Sequence, residues 1–197
     1  DYPILLMGTM RAGMVAVPAN SKLHPREVAW IAGDSEPRVI FTHAEHVEAL
    51  AAALPKGNAA EIVAIEDFAL STLAGAPAQP VAVAPEDPAW IFYTSGTTGK
   101  PKGTVHTHAG CMAQMGKEVR YNFDVRPHKD LFWWFSDIGW MMGPWQIIGC
   151  WLNRVPFLVF EGAPDFPGPD RVWQMVERYG VTHLGISPTA IRLLMRS

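Results

Sequence analysis

The sequence predicts an α/β fold in which helices and strands alternate and form largely parallel sheets that are covered on both faces. Three observations support this prediction. The chain has 197 residues and 49% of them are apolar, which is enough for a sizeable core. Segments with a helical spacing of apolar residues alternate with short β-prone runs. Proline and glycine separate these segments, as is typical of turns.

The first region, residues 1–85, is predicted to alternate short helices and strands. Gly13 ends the first helix, because glycine readily adopts the left-handed conformation found at helix ends. Pro25 suits the first turn of the next helix, where its missing N–H costs nothing. In order, the predicted elements are a helix over 4–11, a strand over 15–17, a helix over 25–32, a strand over 38–42, a helix over 43–54 and a strand over 61–65. The Ala-, Pro- and Gly-rich stretch 71–88 predicts a connector to the next domain.

The second region, residues 86–197, is predicted to form the other α/β domain. A strand over 89–94 leads into 95–103, which contains too many glycines for regular structure and is predicted as a loop. The elements predicted after this loop are strands over 130–135, 155–160 and 181–186, and helices over 144–153, 170–179 and from 188 onward.

Composition and charge exclude several classes of function. The net charge is only −3 and no run of Lys or Arg stands out, which argues against binding to nucleic acid or to a membrane surface. The apolar stretch 131–152 is interrupted by Asp137, Gly139 and Pro144, which argues against a membrane span. The expected partners are therefore small molecules, and a homo-oligomer is left open.

The two cysteines, Cys111 and Cys150, indicate a cytoplasmic protein. No secretory signal is in view, so a disulfide framework is not expected. The two cysteines are instead expected to be buried, unreactive thiols of a protein in the reducing cytosol. The histidine pairs His43/His46 and His106/His108 are expected to share a helical face and a strand face, respectively. Neither pair has a third ligand in view, so hydrogen-bonded histidines are expected rather than a metal site.

The segment 93–103, YTSGTTGKPKG, carries the chemistry of a phosphate site and follows a predicted strand directly. Its glycines let backbone N–H groups approach a phosphate closely, its hydroxyls add donors, and its lysines add positive charge. The residues that bear these hydroxyls and charges are Thr94, Ser95, Thr97, Thr98, Lys100 and Lys102. A polyphosphate is the ligand that this composition favours.

Two common nucleotide motifs do not fit this segment. A Walker-A loop needs Gly-Lys-Ser/Thr, whereas Pro101 follows Lys100. A dinucleotide fingerprint needs glycines that open a helix, whereas Pro101 and the β-prone run 104–106 follow here. A flexible surface loop would explain the small residues but not the concentration of hydroxyls and lysines at one strand end.

The segment is similar to the signature phosphate-binding loop of the adenylate-forming superfamily, which includes acyl-CoA synthetases, luciferases and peptide-synthetase adenylation domains. In that family the loop closes over the β- and γ-phosphates of ATP while a carboxylate attacks the α-phosphorus, with Mg²⁺ sharing the charge. The resemblance implies that the chain is part of the large N-terminal domain of such an enzyme. It assigns the ATP phosphates to Thr94, Ser95, Gly96, Thr97, Thr98, Gly99 and Lys102.

A second segment, 130–140 (DLFWWFSDIGW), resembles the motif of the acetyl-CoA-synthetase-like branch. By this resemblance, Trp140 lies between the carboxylate and ATP sites and has a catalytic role together with Lys102. A tryptophan buried in the core is the alternative reading of Trp140. Met141 and Met142 stand where acetate-using relatives carry smaller residues, so they are expected to contact the acyl group of a larger substrate. The neighbouring residues Trp133, Trp134 and Trp145 are expected to add a broad apolar wall.

The resemblance implies an AMP-forming acyl-CoA synthetase that uses ATP, Mg²⁺, CoA and a small-molecule carboxylate. Both ends of the chain look cut, and the family's later adenine, ribose and lysine motifs do not occur in it. We therefore expect a ligase as the parent protein and no turnover from this piece alone. Two alternatives stay open: an adenylation domain that loads a carrier protein, and a nucleotide-binding module without catalysis.

Overall fold

Residues 2–67, 78–94 and 101–195 are described by a computed structural model of the chain. They form two compact units, one from residues 1–83 and 88–106 and the other from residues 84–87 and 107–197. Both units contain helices and parallel strand pairings, as the sequence predicts. The predicted domain boundary after residue 85 stays a prediction about the whole protein.

The first unit contains three helices and four strands within its described residues. In order, they are α1 Tyr2–Arg11, α2 Pro25–Ser35, β1 Val39–Thr42, α3 Ala44–Ala53, β2 Glu61–Ala64, β3 Pro88–Thr94 and β4 Lys102–Thr107. His24 begins α2 with a capping box, in which its ring accepts from the Arg26 N–H and the Glu27 carboxylate accepts from the His24 N–H. Local capping therefore explains the start of this helix.

The strands β1 and β2 form a parallel pair, with Val39 opposite Glu61 and Thr42 opposite Ala64. A parallel pair needs a crossover connection, which α3 provides. Leu50 of α3 is only 3% exposed and belongs to the core of this unit. The predicted β–α–β order of residues 38–65 is confirmed.

The predicted strand over 15–17 is wrong, because it is reduced to one bridge at Ala16. Ala16 pairs in parallel with Trp90 of β3, donating to the Ala89 carbonyl at 3.0 Å and accepting from Ile91 at 2.9 Å. Pro18 follows two residues later and has no N–H with which to extend the ladder. The pairing therefore stops after a single residue.

The second unit adds four helices, a π-helical turn and two strands within its described residues. In order, they are α4 His108–Lys117, the π-helical turn Glu118–Asn122, β5 Phe132–Phe135, α5 Met142–Leu152, α6 Arg171–Tyr179, β6 His183–Ile186 and α7 Pro188–Leu194. β5 and β6 are parallel, with Phe132 opposite His183 and Phe135 opposite Ile186.

The predicted strand over 155–160 is also wrong. Phe132 of β5 bridges Phe157, donating to the Pro156 carbonyl at 3.0 Å and accepting from Leu158 at 2.9 Å, but the pairing goes no further. Pro156 offers no N–H, and the Leu158 carbonyl accepts from the Gln146 side chain at 3.5 Å instead of from a strand. The segment therefore runs beside β5 without forming a ladder.

Helix α4 was not predicted from the sequence, where His108 was expected to share a strand face with His106. His108 instead opens α4, directly after Thr107. The Thr107 hydroxyl accepts from the Gly110 N–H at 3.2 Å and so caps the helix. The sequence feature that could have predicted the start of α4 is therefore Thr107, the capping residue at the end of the β-prone run.

Strand β5 separates two apolar clusters because successive side chains point to opposite faces. On one face, Trp133 is 1% exposed and belongs to a core with Val172, Met175 and Leu194. On the other face, the ring contacts join Phe123, Phe132, Trp134 and Trp145. Within residues 2–67, 78–94 and 101–195, no helix combines the length and apolar character that crossing a membrane requires.

Candidate functional site

The two described ends of the phosphate segment are held side by side. Thr94 is the last residue of β3 and Lys102 the first of β4, and these two strands are neighbours in one sheet. Gly103 fixes their proximity: a Cβ on it would stand 2.9 Å from Ile91 Cγ2 and 3.0 Å from Tyr93 Cζ. The beginning of β4 therefore lies against the end of β3.

Thr94 and Lys102 are both exposed, so a hydroxyl and a cation are available at the ends of the paired strands. This combination suits an anionic ligand, because a lysine contributes a flexible positive charge and a hydroxyl donates a hydrogen bond. Lys102 and Gly103 were predicted as loop residues, but both belong to β4. The strand start limits the backbone freedom of Lys102 while its long side chain reaches into solvent.

Five further residues of the predicted phosphate site lie outside the described residues. They are Ser95, Gly96, Thr97, Thr98 and Gly99. Their roles toward the ATP phosphates stay predictions, as does that of Lys102.

The far end of β4 is anchored by its contacts with the buried Trp90. The indole N–H of Trp90 donates to Nδ1 of His106, and the two rings meet edge to face at 4.9 Å. Trp90 is fully buried, so His106 supplies the partner that its N–H requires. The expectation of a hydrogen-bonded rather than metal-binding His106 is consistent with this contact.

A short turn presents Trp140 at the start of α5. Asp137 accepts from the Gly139 N–H through its carboxylate at 2.8 Å and from the Trp140 N–H through its carbonyl at 3.0 Å. The Trp140 carbonyl then accepts from Gly143 at 2.9 Å, within the first turn of α5. An aspartate that bonds the backbone two residues later is a common way to build such a turn.

Trp140, Met141 and Met142 form an apolar group on this turn. Trp140 is 53% exposed and Met141 45% exposed, whereas Met142 is half-buried. The alternative reading of Trp140 as a core tryptophan is therefore wrong for this chain. An apolar ligand could cover these side chains and remove their surface from water.

The expected apolar wall of tryptophans is wrong for Trp133 and Trp145, because both are core residues. Trp133 lies in the cluster on the opposite face of β5. Trp145 is 6% exposed, and its indole N–H donates to Glu118 at 2.6 Å, which satisfies it inside the unit. The closeness of Trp133 and Trp145 to Met141 in the sequence did not predict their burial. The alternation of side chains along β5 turns the Trp133 ring inward, and the packing of α5 does the same for Trp145.

The two cysteines lie in the core of the second unit, as expected. Cys111 of α4 and Cys150 of α5 are both buried and unpaired as free thiols. Burial raises the pKa of Cys111 to about 11 and that of Cys150 to about 12. A thiol must ionise to act as a nucleophile, so neither supplies one at neutral pH.

In the part of the chain that the structure describes, no three or more His, Cys, Asp or Glu side chains gather as a metal ion would need. His43 of the expected histidine pair instead contacts the Glu66 carboxylate at 2.8 Å. The positive charge of Lys102 and the hydroxyl of Thr94 fit a polyphosphate. Both residues belong to the first unit, whereas Trp140, Met141 and Met142 belong to the second.

Solved structures of acyl-CoA synthetases resemble this fold. The acetoacetyl-CoA synthetase from Streptomyces lividans is 27% identical, with a TM-score of 0.83 over 99% of this chain and 33% of that one. A Brucella canis acyl-CoA synthetase is 26% identical, with a TM-score of 0.84 over 99% of this chain and 36% of that one.

Sequence comparisons agree with the structural ones. The chain is 47% identical over 119 residues to an acetyl-coenzyme A synthetase of Pyrobaculum arsenaticum, a match that covers 60% of this chain and 18% of the relative. The chain thus spans a minor part of each of these proteins. Its entire length, residues 1–197, matches the family described as AMP-binding enzyme. The match confirms the resemblance carried by the phosphate segment, and the chain belongs to the family of AMP-binding enzymes.

Proposed function

We propose that the protein containing this chain is an AMP-forming acyl-CoA synthetase. The observation that carries the proposal is that Thr94 ends β3 and Lys102 begins the neighbouring β4, both within the segment YTSGTTGKPKG of a member of the AMP-binding family. The chain covers only part of its relatives, so the activity belongs to the whole protein and this chain supplies its phosphate and acyl contacts.

The first half-reaction joins a carboxylate to the α-phosphorus of ATP. A carboxylate oxygen forms a bond to that phosphorus, and the bond to the oxygen that bridges the α- and β-phosphates breaks. Pyrophosphate leaves with the bonding electrons, and the product is acyl-AMP. Lys102 neutralises charge on the departing phosphates, while Thr94 and the segment 95–99 donate hydrogen bonds to them.

Magnesium is expected to accompany ATP in this reaction. When bound to the nucleotide phosphates, Mg²⁺ adds to the neutralisation of their charge. No protein ligand for it is assigned among the described residues. From the protein, Lys102 contributes positive charge to the same neutralisation. Because Lys102 is exposed, its side chain is free to adjust its position to the phosphates.

The second half-reaction transfers the acyl group to CoA. The thiolate of CoA attacks the acyl carbonyl carbon, and AMP leaves with the phosphate oxygen that held the acyl group. The apolar character and the half exposure of Trp140 and Met141 support their assignment to the acyl portion. CoA is favoured over a carrier protein because the named relatives are acetyl-, acetoacetyl- and acyl-CoA synthetases.

The proposed location is the cytoplasm. The two free, buried cysteines are compatible with a reducing compartment. A homo-oligomer is compatible with the exposed apolar residues of both units and is left to measurement of the whole protein in solution.

The decisive experiment measures pyrophosphate release by the full-length enzyme with ATP and a panel of carboxylates, with and without CoA. We expect carboxylate-dependent pyrophosphate and AMP, and an acyl-CoA thioester when CoA is present. Pyrophosphate without a thioester would favour the carrier-protein-loading alternative. ADP as the product would contradict adenylation, and ATP binding without turnover would favour the non-catalytic module.

A further inference from the structure

Tyr93, the residue immediately before Thr94, is held by two residues of α2. Its phenol donates to the Asp34 carboxylate at 2.6 Å, although Asp34 lies 59 residues earlier in the chain. Its ring also meets that of Trp30 edge to face, with 6.1 Å between the centroids. Trp30 and Asp34 are four residues apart and therefore lie on the same face of α2. One helix thus contacts both the ring and the hydroxyl of Tyr93.

The same ring also lies against Gly103, the second residue of β4. A Cβ on Gly103 would come within 3.0 Å of Tyr93 Cζ and 3.1 Å of Tyr93 Cε1. A side chain at this position would therefore crowd the ring, and glycine leaves room for it. Tyr93 consequently contacts both α2 and the residue next to Lys102.

The phenol of Tyr93 remains a hydrogen-bond donor throughout the neutral pH range. Burial and the neighbouring Asp34 carboxylate raise its pKa to about 12. A hydrogen bond from a neutral donor to an ionised carboxylate is among the stronger ones in proteins, because the acceptor carries a full charge. The contact can therefore hold the phenol to α2 under the conditions in which ATP would bind.

We propose that Asp34 is a positioning residue for the ATP phosphates and that it acts through Tyr93. The hydrogen bond fixes the tyrosine ring against α2 and beside Gly103, and the ring in turn fixes the places of Thr94 and Lys102. The proposal rests on the proposed function, which assigns those two residues to the phosphates. Asp34 itself contacts no substrate. Its contribution is preorganisation, which reduces the free energy lost in ordering the site when ATP binds.

A purely structural role for Asp34 would have different consequences from a positioning role. A structural contact contributes to folding, and its loss lowers the melting temperature without a specific effect on ATP. A positioning contact changes the dissociation constant for ATP, and it does so only while its intermediary Tyr93 is intact. A double-mutant cycle on ATP affinity therefore separates the two roles.

The test measures ATP binding to the full-length enzyme by calorimetry, without a carboxylate, and the melting temperature of each variant. The variants are Asp34→Ala, Asp34→Asn, Tyr93→Phe and the double variant Asp34→Ala/Tyr93→Phe. We expect Asp34→Ala and Tyr93→Phe each to raise the Kd for ATP about 3- to 10-fold, the range of a modest hydrogen bond. The double variant should bind no more weakly than either single variant. Asp34→Asn should retain most of the affinity, because its amide oxygen still accepts.

Matched controls are Tyr121→Phe and Asp165→Ala, which remove the same groups from exposed positions of the second unit. Both should bind ATP as the wild type does. Unchanged affinity in Asp34→Ala would overturn the proposal, and so would additive effects in the double variant. If Asp34→Ala does not fold, unchanged affinity in Tyr93→Phe overturns it. A wild type that binds no ATP would instead overturn the proposed function on which the inference rests.

Discussion

Gly143 lies directly against the backbone of Ile138. A Cβ on Gly143 would stand 2.5 Å from the Ile138 carbonyl oxygen and 2.6 Å from the Ile138 Cα. No side chain fits there, so only glycine lets the first turn of α5 fold back onto the turn that carries Trp140. This close approach sets how Trp140 and Met141 are presented to solvent.

Replacing Gly143 by alanine should therefore destabilise the second unit and disturb the acyl contacts. We expect a loss of about 1–3 kcal/mol in the free energy of unfolding, the usual cost of an added group in a filled space. The matched control is Gly8→Ala in α1, where nothing lies within 4 Å of the added Cβ. Since alanine is the better helix former, this control should gain up to about 1 kcal/mol. Urea unfolding of the full-length enzyme measures both, and equal stability of Gly143→Ala and the wild type would contradict the close contact.

Removal of the Lys102 charge should slow adenylation much more than thioester formation. Removal of one preorganised group that stabilises developing charge commonly costs about 10²- to 10³-fold in rate, and by analogy Lys102→Ala should lose about that much in pyrophosphate release. Thioester formation from supplied acyl-AMP should change far less, because no polyphosphate takes part in it. Lys56→Ala, which removes an exposed lysine from a turn of the first unit, is the control. An equal loss in both half-reactions would show that Lys102 does not serve the ATP phosphates.

The exposed Met141 side chain predicts a preference for carboxylates larger than acetate. Each methylene buried against it adds up to about 0.8 kcal/mol until the space is filled. The value of kcat/KM should therefore rise with chain length between acetate and decanoate and then fall, and an aromatic carboxylate should also be accepted.

A variant of Met141 tests whether this side chain sets the preference. Met141→Ala should flatten the rise in kcat/KM with chain length, whereas Met112→Ala, which removes a similarly exposed methionine from α4, should leave it intact. A maximum at acetate in the wild type would contradict the methionine argument and leave the adenylation chemistry untouched.

The Glu66 carboxylate should make the stability of the first unit depend on pH. It accepts from the Ala44 N–H at 2.9 Å and contacts His43 at 2.8 Å, and so closes the start of α3. These contacts, chiefly the one with His43, hold the pKa of Glu66 below its ordinary value of 4.5. Because the folded pKa is the lower one, the contribution to stability is present above the unfolded pKa and is lost as the pH falls through the folded pKa.

The variant Glu66→Gln should therefore be less stable than the wild type at neutral pH, and the difference should shrink in acid. The measurement is the urea unfolding midpoint between about pH 3 and about pH 8. Glu48→Gln, which changes an exposed glutamate of α3, should show no such difference. A Glu66→Gln midpoint that follows the wild type at every pH would refute the role of this contact.

Several features could be read from the sequence because their causes are local. The helix starts at Pro25 and Pro188 follow from the preference of proline for a first turn, and both are confirmed. The family resemblance came from one short segment, 93–103, in which hydroxyls, glycines and lysines are adjacent along the chain. The predictions of strands over 15–17 and 155–160 were wrong, and the cause is again local. A proline in or after an apolar run removes a hydrogen-bond donor that the ladder needs.

The sequence by itself thus determined the family, the phosphate segment and the alternation of helices and strands, because each depends on residues close together in the chain. Only the tertiary structure decided which tryptophans are available to a ligand. Trp133 and Trp140 lie seven positions apart in the numbering, yet the first is buried in a core and the second is half exposed, since strand alternation turns one inward and the Asp137 turn carries the other outward. The contact between Asp34 and Tyr93 likewise follows from the packing of α2 beside β3, which no local pattern encodes.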